Sequence, residues 1–187
     1  MNPGLVIGII IAAVVILILL WAMKTYNKLI KLRTQCEEGF STMDIYLKKR
    51  FDLIPNLVAT VKGYAKHEAE TLEKVIAARN SSVSKSPEEQ LKDENQISGA
   101  LRQLFAVAES YPELKANTNF MDLQGQLKEI EFDIANSRKY YNGCVKKYNV
   151  KCMTIPSSII AALGHFERKP MFEVDDPSER KNVKVEF

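Results

Sequence analysis

Apolar and polar positions divide this chain into one long uncharged run and a series of stripes spaced three or four residues apart. No charged side chain stands between Asn2 and Met23, and Lys24 is the first, with Lys28, Lys31 and Arg33 close behind. At about 1.5 Å of rise per residue, 4–23 measures about 30 Å as a helix, the hydrocarbon thickness of a bilayer. Behind it, Leu29, Leu32, Cys36, Phe40, Met43, Leu47, Phe51 and Ile54 form one apolar face of a helix that starts at the membrane boundary. A second stripe runs Leu57, Val58, Val61, Tyr64, Ala65, Glu68, Leu72, Val75 and Ile76, with Glu68 as its polar intruder. The third is Ile97, Leu101, Leu104, Ala108 and Tyr111, and the fourth extends from Phe120 through Leu127, Ile134, Tyr141 and Tyr148 to Cys152, a coiled-coil-like seam.

The breaks carry helix punctuation. Pro55 sits where a second helix can begin, because proline suits a first turn; a kink in one continuous helix is the rival reading. The polar stretch 80–89 ends in a capping pattern, with Ser86 before Pro87 and Glu89 three residues on. Asn117 or Thr118 can cap the last long helix. No segment alternates with period two long enough for a sheet. The expected fold is all-α: an N-terminal single transmembrane helix continuing into an antiparallel bundle of about four long helices. In residues this is a short extracytoplasmic end over 1–3, an anchor over 4–23, a cytoplasmic bundle over 24–153, an apolar segment over 154–172 and a mobile tail over 173–187.

The anchor reads as uncleaved, since a signal peptide needs a basic start, a shorter apolar core and a small-residue cleavage site. Trp21 and Tyr26 suit the headgroup level, and Lys24 and Lys28 can extend into water beside them. The cluster of cations after the helix predicts the N-terminus outside and the bundle in the cytoplasm, at a bacterial inner membrane. An antiparallel path then returns the chain after Cys152 to the bilayer. There Ile159, Ile160, Leu163 and Phe166 form an apolar segment too short to span, followed by Arg168 and Lys169. It either closes the end of the bundle or touches membrane or a neighbouring protein.

Composition narrows the function. The roughly 160 residues behind the anchor suffice for one domain with a real core. Cys36, Cys144 and Cys152 are an odd set that suits a reducing compartment and forms no disulfide framework. The 26 Lys and Arg against 23 Asp and Glu leave a net charge of +3, which makes no case for nucleic acid as a partner. His67 and Glu68 open like a zinc-protease helix, but Thr71 stands where the second histidine ligand belongs. Neither His67 nor His165 has a glutamate three residues earlier, as a di-iron bundle requires, and no phosphate-binding loop or nucleophile elbow is present. No catalytic residue, metal or cofactor is expected. Arg50, Asp52, Asn56, His67, Glu68, Arg79, Asn80 and Asn95 are candidates for a buried network that sets helix register, with a ligand or partner site between helices as the alternative.

Several stretches resemble the LemA family: 26–33 (Tyr-Asn-Lys-Leu-Ile-Lys-Leu-Arg), 50–58 from Arg50 through Pro55 to Val58, and 61–68 from Val61 to Glu68. Ala78-Arg79-Asn80, Glu94-Asn95-Gln96, the run Tyr111 to Asn117, and the pairs Tyr141-Asn142 and Tyr148-Asn149 add to it. The chain departs from that pattern at Gly39-Phe40, where the family often has alanine and tryptophan, and at Ile155, where a phenylalanine often precedes the proline. The resemblance implies a single-pass membrane protein with a cytoplasmic helical bundle and no established activity; relatives associated with magnetosome membranes favour an organising role. Three functions follow in order. The first is a self-associating scaffold that binds membrane or cytoplasmic proteins, aided by small anchor residues such as Gly4 and Gly8. The second is a lipid-organising protein using the anchor and the segment after Pro156, and the third an enzyme with an unrecognised site in the bundle.

Overall fold

The computed structural model describes residues 2–65, 67–81 and 87–172, with the backbone alone over 87–95. The Ser86–Glu89 cap, the Asn95 side chain and the tail over 173–187 lie outside the described residues. Among the described residues six helices follow one another: α1 (Pro3–Tyr64), α2 (Ala69–Ser81), α3 (Pro87–Ala108), α4 (Pro112–Lys115), α5 (Thr118–Met153) and α6 (Ser157–Leu163). No strand occurs among the described residues. The fold is all-α, with a long apolar N-terminal helix that continues into a helical bundle.

The chain divides into two compact units, and α1 and α5 contribute to both. One unit comprises Met1–Ser41 and Lys139–Met171; the other comprises Thr42–Arg138 and resumes at Phe172. In the second unit the apolar stripes face inward as their spacing predicts. Ile54, Leu57 and Val61 of α1, Leu72 and Val75 of α2, Ile97, Leu101 and Leu104 of α3, Leu114 of α4, and Phe120 and Leu127 of α5 form one buried cluster. Each such side chain contributes about 1.5–3 kcal/mol through burial, more than any capping interaction here. Tyr64 and Ile76, placed on the second stripe by spacing, are exposed instead. As α1 advances from Arg50 to Tyr64 its partners fall from Glu131 to Asn117, the signature of antiparallel packing. Asn117, not Thr118, caps α5: its Oδ1 accepts the Phe120 N–H at 2.9 Å, while its amide donates to the Tyr64 hydroxyl at 2.9 Å.

Pro55 does not begin a helix. The helix α1 runs through it to Tyr64, and the break falls at 65–68, inside the stretch read as a single second stripe. A proline at position 55 removes the N–H that would bond the Phe51 carbonyl. That carbonyl is taken by Arg79 of α2, whose Nε donates to it at 3.2 Å while the guanidinium lies 3.8 Å over the Phe51 ring. A neighbouring helix therefore supplies the donor that the proline withdraws, and the helix survives.

The first unit pairs the start of α1 with the end of α5. Leu29, Leu32 and Cys36 are buried on one side, and Tyr141, Cys144, Val145, Tyr148 and Cys152 on the other. Phe40 meets Tyr141 edge to face with centroids 5.9 Å apart. Gly39 permits the approach, since a Cβ there would stand 3.2 Å from the Tyr140 ring and 3.5 Å from the Tyr141 backbone.

Candidate functional site

The exposed and buried parts of α1 meet at a sharp boundary. From Ile7 to Met23 its large apolar side chains are exposed, and no residue of the most apolar window is buried. Trp21 and Lys24 are exposed, Thr25 is already buried, and Leu29 is fully enclosed. Lys28 points outward, while Tyr26 is partly covered by a ring from the far end of the chain. The four residues expected at a membrane interface thus stand where the uncovered apolar helix becomes a packed one.

The segment after α5 turns back onto this boundary. Ser157 enters the turn with its buried hydroxyl 2.7 and 2.8 Å from the carbonyls of Lys151 and Thr154, closing the end of α5. Two turns later α6 stops in a Schellman motif: the Phe166 N–H donates to the Ala161 carbonyl at 2.9 Å and the His165 N–H to that of Ala162 at 3.2 Å. The left-handed position in this motif, usually glycine, is His165 with φ 52°, a strain of about 1 kcal/mol. Glycine stands one residue earlier for a packing reason. A Cβ on Gly164 would meet the Phe166 ring at 2.6 Å and the Tyr26 ring at 3.1 Å.

Phe166 is the pin of the arrangement. It packs edge to face on Tyr26 with centroids 5.3 Å apart, and the Arg33 guanidinium lies 5.5 Å from its ring centre. The following residues are strapped to α5 by Asn149 and Tyr141, from the Tyr-Asn pairs noted in the sequence. Asn149 binds the Lys169 backbone twice, donating to its carbonyl at 2.8 Å and accepting its N–H at 3.0 Å, and the Tyr141 hydroxyl donates to the Pro170 carbonyl at 3.1 Å.

Two faces of α6 therefore differ. Ser157, Ala161 and Phe166 are buried against the unit and Ile160 is half-buried, whereas Ile159 and Leu163 are 58% and 74% exposed. Ile155, just before the helix, is 84% exposed and extends the same four-residue spacing. Of the residues expected to reach membrane or partner, Ile159 and Leu163 face outward; Phe166 faces inward, and Ile155 joins the outward set.

The polar candidates do not converge on one network. Arg50 is buried and donates to Glu131 at 2.7 Å and to Ser98 at 3.1 Å, with Ser98 in turn donating to the other Glu131 oxygen at 3.2 Å. Asp52 is exposed and pairs with Lys48 at 2.8 Å. Asn56 is exposed and lines a shallow polar hollow with Asn119, Asp122 and Gln126. His67 and Asn80 are exposed, and Glu68 accepts the Tyr111 hydroxyl at 3.0 Å, a bond that raises the tyrosine's pKa. Arg79 serves the Phe51 carbonyl, as described. Glu131 and Ser98, both half-buried, complete the trio around Arg50, and the sequence reading does not name them. The signal was available, since Leu47 to Arg50 to Ile54 is as regular a helical step as Leu47 to Phe51 to Ile54.

The chemistry of the three thiols is that of core residues. Burial, reinforced by Cys144, pushes the Cys36 thiol up to about 11, and burial also raises Cys152, so these sulfurs stay protonated near neutrality and are poor nucleophiles. Among the described residues no cluster of His, Cys, Asp and Glu has the arrangement to hold a metal ion.

Comparison with known proteins agrees with the fold. The chain is 26% identical over 168 residues to Protein LemA of Metamycoplasma hominis, covering 83% of this chain and 75% of that one. It is 23% identical over 175 residues to each of the magnetosome proteins MamQ 1 and MamQ 2 of Paramagnetospirillum magneticum, spanning 79% of this chain and 64% of theirs. Residues 39–187, most of the sequence, match the model of the LemA family, and the chain belongs to that family.

Proposed function

We propose that this protein is a non-catalytic, self-associating scaffold of a bacterial inner membrane, held by one transmembrane helix with its bundle in the cytoplasm. The observation that carries the reading is the continuity of α1. An uncovered apolar stretch long enough to cross a bilayer enters a packed core within two residues of Lys24, with no linker between them. Such a joint holds the first unit close to the membrane, which suits an organising protein. The likeness to proteins named for the magnetosome supports a membrane role of the same kind.

Self-association is supported by surfaces left uncovered among the described residues. There a Cβ at Gly4 or Gly8 would meet no atom within 4 Å, so the close approach these glycines allow suits lipid or a second helix. Phe132 is 68% exposed among Lys128, Glu129 and Asp133. Detergent-solubilised full-length protein is expected to gain mass with concentration in light scattering; a monomer at every concentration, with helicity intact, would refute self-association. Orientation follows from Lys24, Lys28, Lys31 and Arg33. A cysteine replacing exposed Lys48 is expected to resist membrane-impermeant thiol reagents in intact cells and to react after lysis; labelling before lysis would reverse the assignment.

A second reading, a lipid-organising protein, is favoured by one specific observation, the outward apolar face of α6.

A further inference from the structure

We propose that Ile155, Ile159 and Leu163 enter the headgroup layer of the bilayer that α1 crosses, giving the protein a second membrane contact beside its anchor. The proposal rests on the membrane-anchored reading of α1 and adds a lipid-facing site on a different helix.

Height is the first argument. Cys36 neighbours Cys144, and Phe40 meets Tyr141, so α5 runs antiparallel to the start of α1 and its last residue, Met153, comes level with about Asn27 or Lys28. The contact between Phe166 and Tyr26 places the far end of the α6 turn at the same level. Met23, the last residue of the uncharged run, is three to five residues earlier on α1, an axial distance of about 5–8 Å. The headgroup region on one side of a bilayer is about 5–7 Å thick. The turn carrying α6 therefore lies at the outer edge of that layer, within reach of a long aliphatic side chain.

Orientation is the second argument. The helix is held from within by Ser157, Ala161 and Phe166, and the Asn149 clamp on Lys169 prevents the strap behind it from rotating freely. Ile155, Ile159 and Leu163 then project away from the unit at a spacing of four residues, with Met153 also exposed nearby. An isolated exposed leucine needs no explanation; two large aliphatic side chains on one side of a seven-residue helix, with a third just before it, form a patch that calls for an apolar environment.

Charge is the third. Lys24, Lys28 and Lys31 are exposed on α1, and Arg168 is exposed just beyond α6. Lys24 and Lys28 stand within about 8 Å of the end of the uncharged run, and the Arg168 guanidinium lies 3.8 Å from the Met153 sulfur, so cations suited to lipid phosphate occur at the level of the turn, with exposed Glu167 beside Arg168. Two contacts on one rigid unit fix the rotation of the anchor about its own axis, which a single transmembrane helix leaves free.

Trp21 is the sole tryptophan, and this makes the test direct. Full-length protein is reconstituted into vesicles of phosphatidylcholine and phosphatidylglycerol containing a lipid with its nitroxide just below the ester groups. The native chain reports the anchor through Trp21. The double variants Trp21→Phe/Leu163→Trp and Trp21→Phe/Ile159→Trp report α6, and circular dichroism confirms that each keeps its helicity. The indole at position 163 or 159 is expected to emit at shortened wavelength and to lose most of its emission to the shallow nitroxide. If Trp21 is quenched while both α6 indoles remain water-exposed and bright, the second contact is overturned and the anchor stands. An α6 indole that is shifted but unquenched is covered by protein, such as a second copy, and also overturns the proposal. If Trp21 itself escapes quenching, the anchor reading fails and this one with it.

Discussion

Replacing Glu131 with alanine is expected to lower the stability of the bundle by about 3 kcal/mol, because it strips a carboxylate from a buried guanidinium. Arg50 is 1% exposed and occupies a seam position of α1, where a hydrocarbon side chain would ordinarily sit. Its charge is tolerated there because Glu131 and Ser98 lie within 2.7 and 3.1 Å of its Nη1. The Glu131 side chain is 37% exposed, which places the effect toward the lower end for a buried pair. An exposed pair one turn apart, such as Lys48 with Asp52, contributes about 0.5 kcal/mol or less. Urea unfolding followed by helicity should therefore separate Glu131→Ala from Asp52→Ala clearly. Exchanging both partners for apolar residues of similar size, Arg50→Met with Glu131→Leu, is expected to restore most of the loss. Equal midpoints for Glu131→Ala and Asp52→Ala would show that the pair adds nothing to stability.

The second large effect is at the proline. Arg79→Ala is expected to cost about 2 kcal/mol, since it removes a hydrogen bond to a main-chain carbonyl and a cation stacked on Phe51. Much of that penalty exists only because Pro55 has no N–H to offer Phe51. Pro55→Ala restores the donor within the helix, and Pro55 is exposed, so its replacement leaves no cavity. In the Pro55→Ala background the cost of Arg79→Ala should fall by about 1 kcal/mol, a coupling that a double-mutant cycle measures directly. The same cost in both backgrounds would mean that Arg79 acts through the Phe51 ring alone.

Much of this architecture is legible in the order of residues. An uncharged run that ends abruptly at Lys24 specifies a helix suited to hydrocarbon, because charge is costly there and helices satisfy their own backbone. The stripes on α1, α3 and α5 predict the buried residues well, since a helix packed on one side must repeat its apolar positions every three or four residues. Leu29, Cys36, Met43, Ile97, Leu104, Leu127 and Val145 are all buried accordingly.

Periodicity fails where two choices share the same spacing or where the deciding partner is distant in sequence. Arg50 and Phe51 are both compatible with the stripe, and partners distant in sequence, Glu131 on α5 and Ser98 on α3, accompany the arginine as the buried one. Pro55 reads as a helix start because its local effect is to end helices; Arg79, on another helix, reverses that outcome. Gly164 looks like a helix terminator displaced by one residue until Tyr26 is seen against it.

The chain's hydrophobic order alone determined an all-α fold with one bilayer-length helix continuous with its bundle, because burial and helix geometry act through local spacing. Tertiary packing decided which polar side chains are enclosed, that α1 passes through its proline, and which side of α6 is left bare. Each of those outcomes is set by a contact between residues far apart in the chain, and local periodicity carries no information about such contacts.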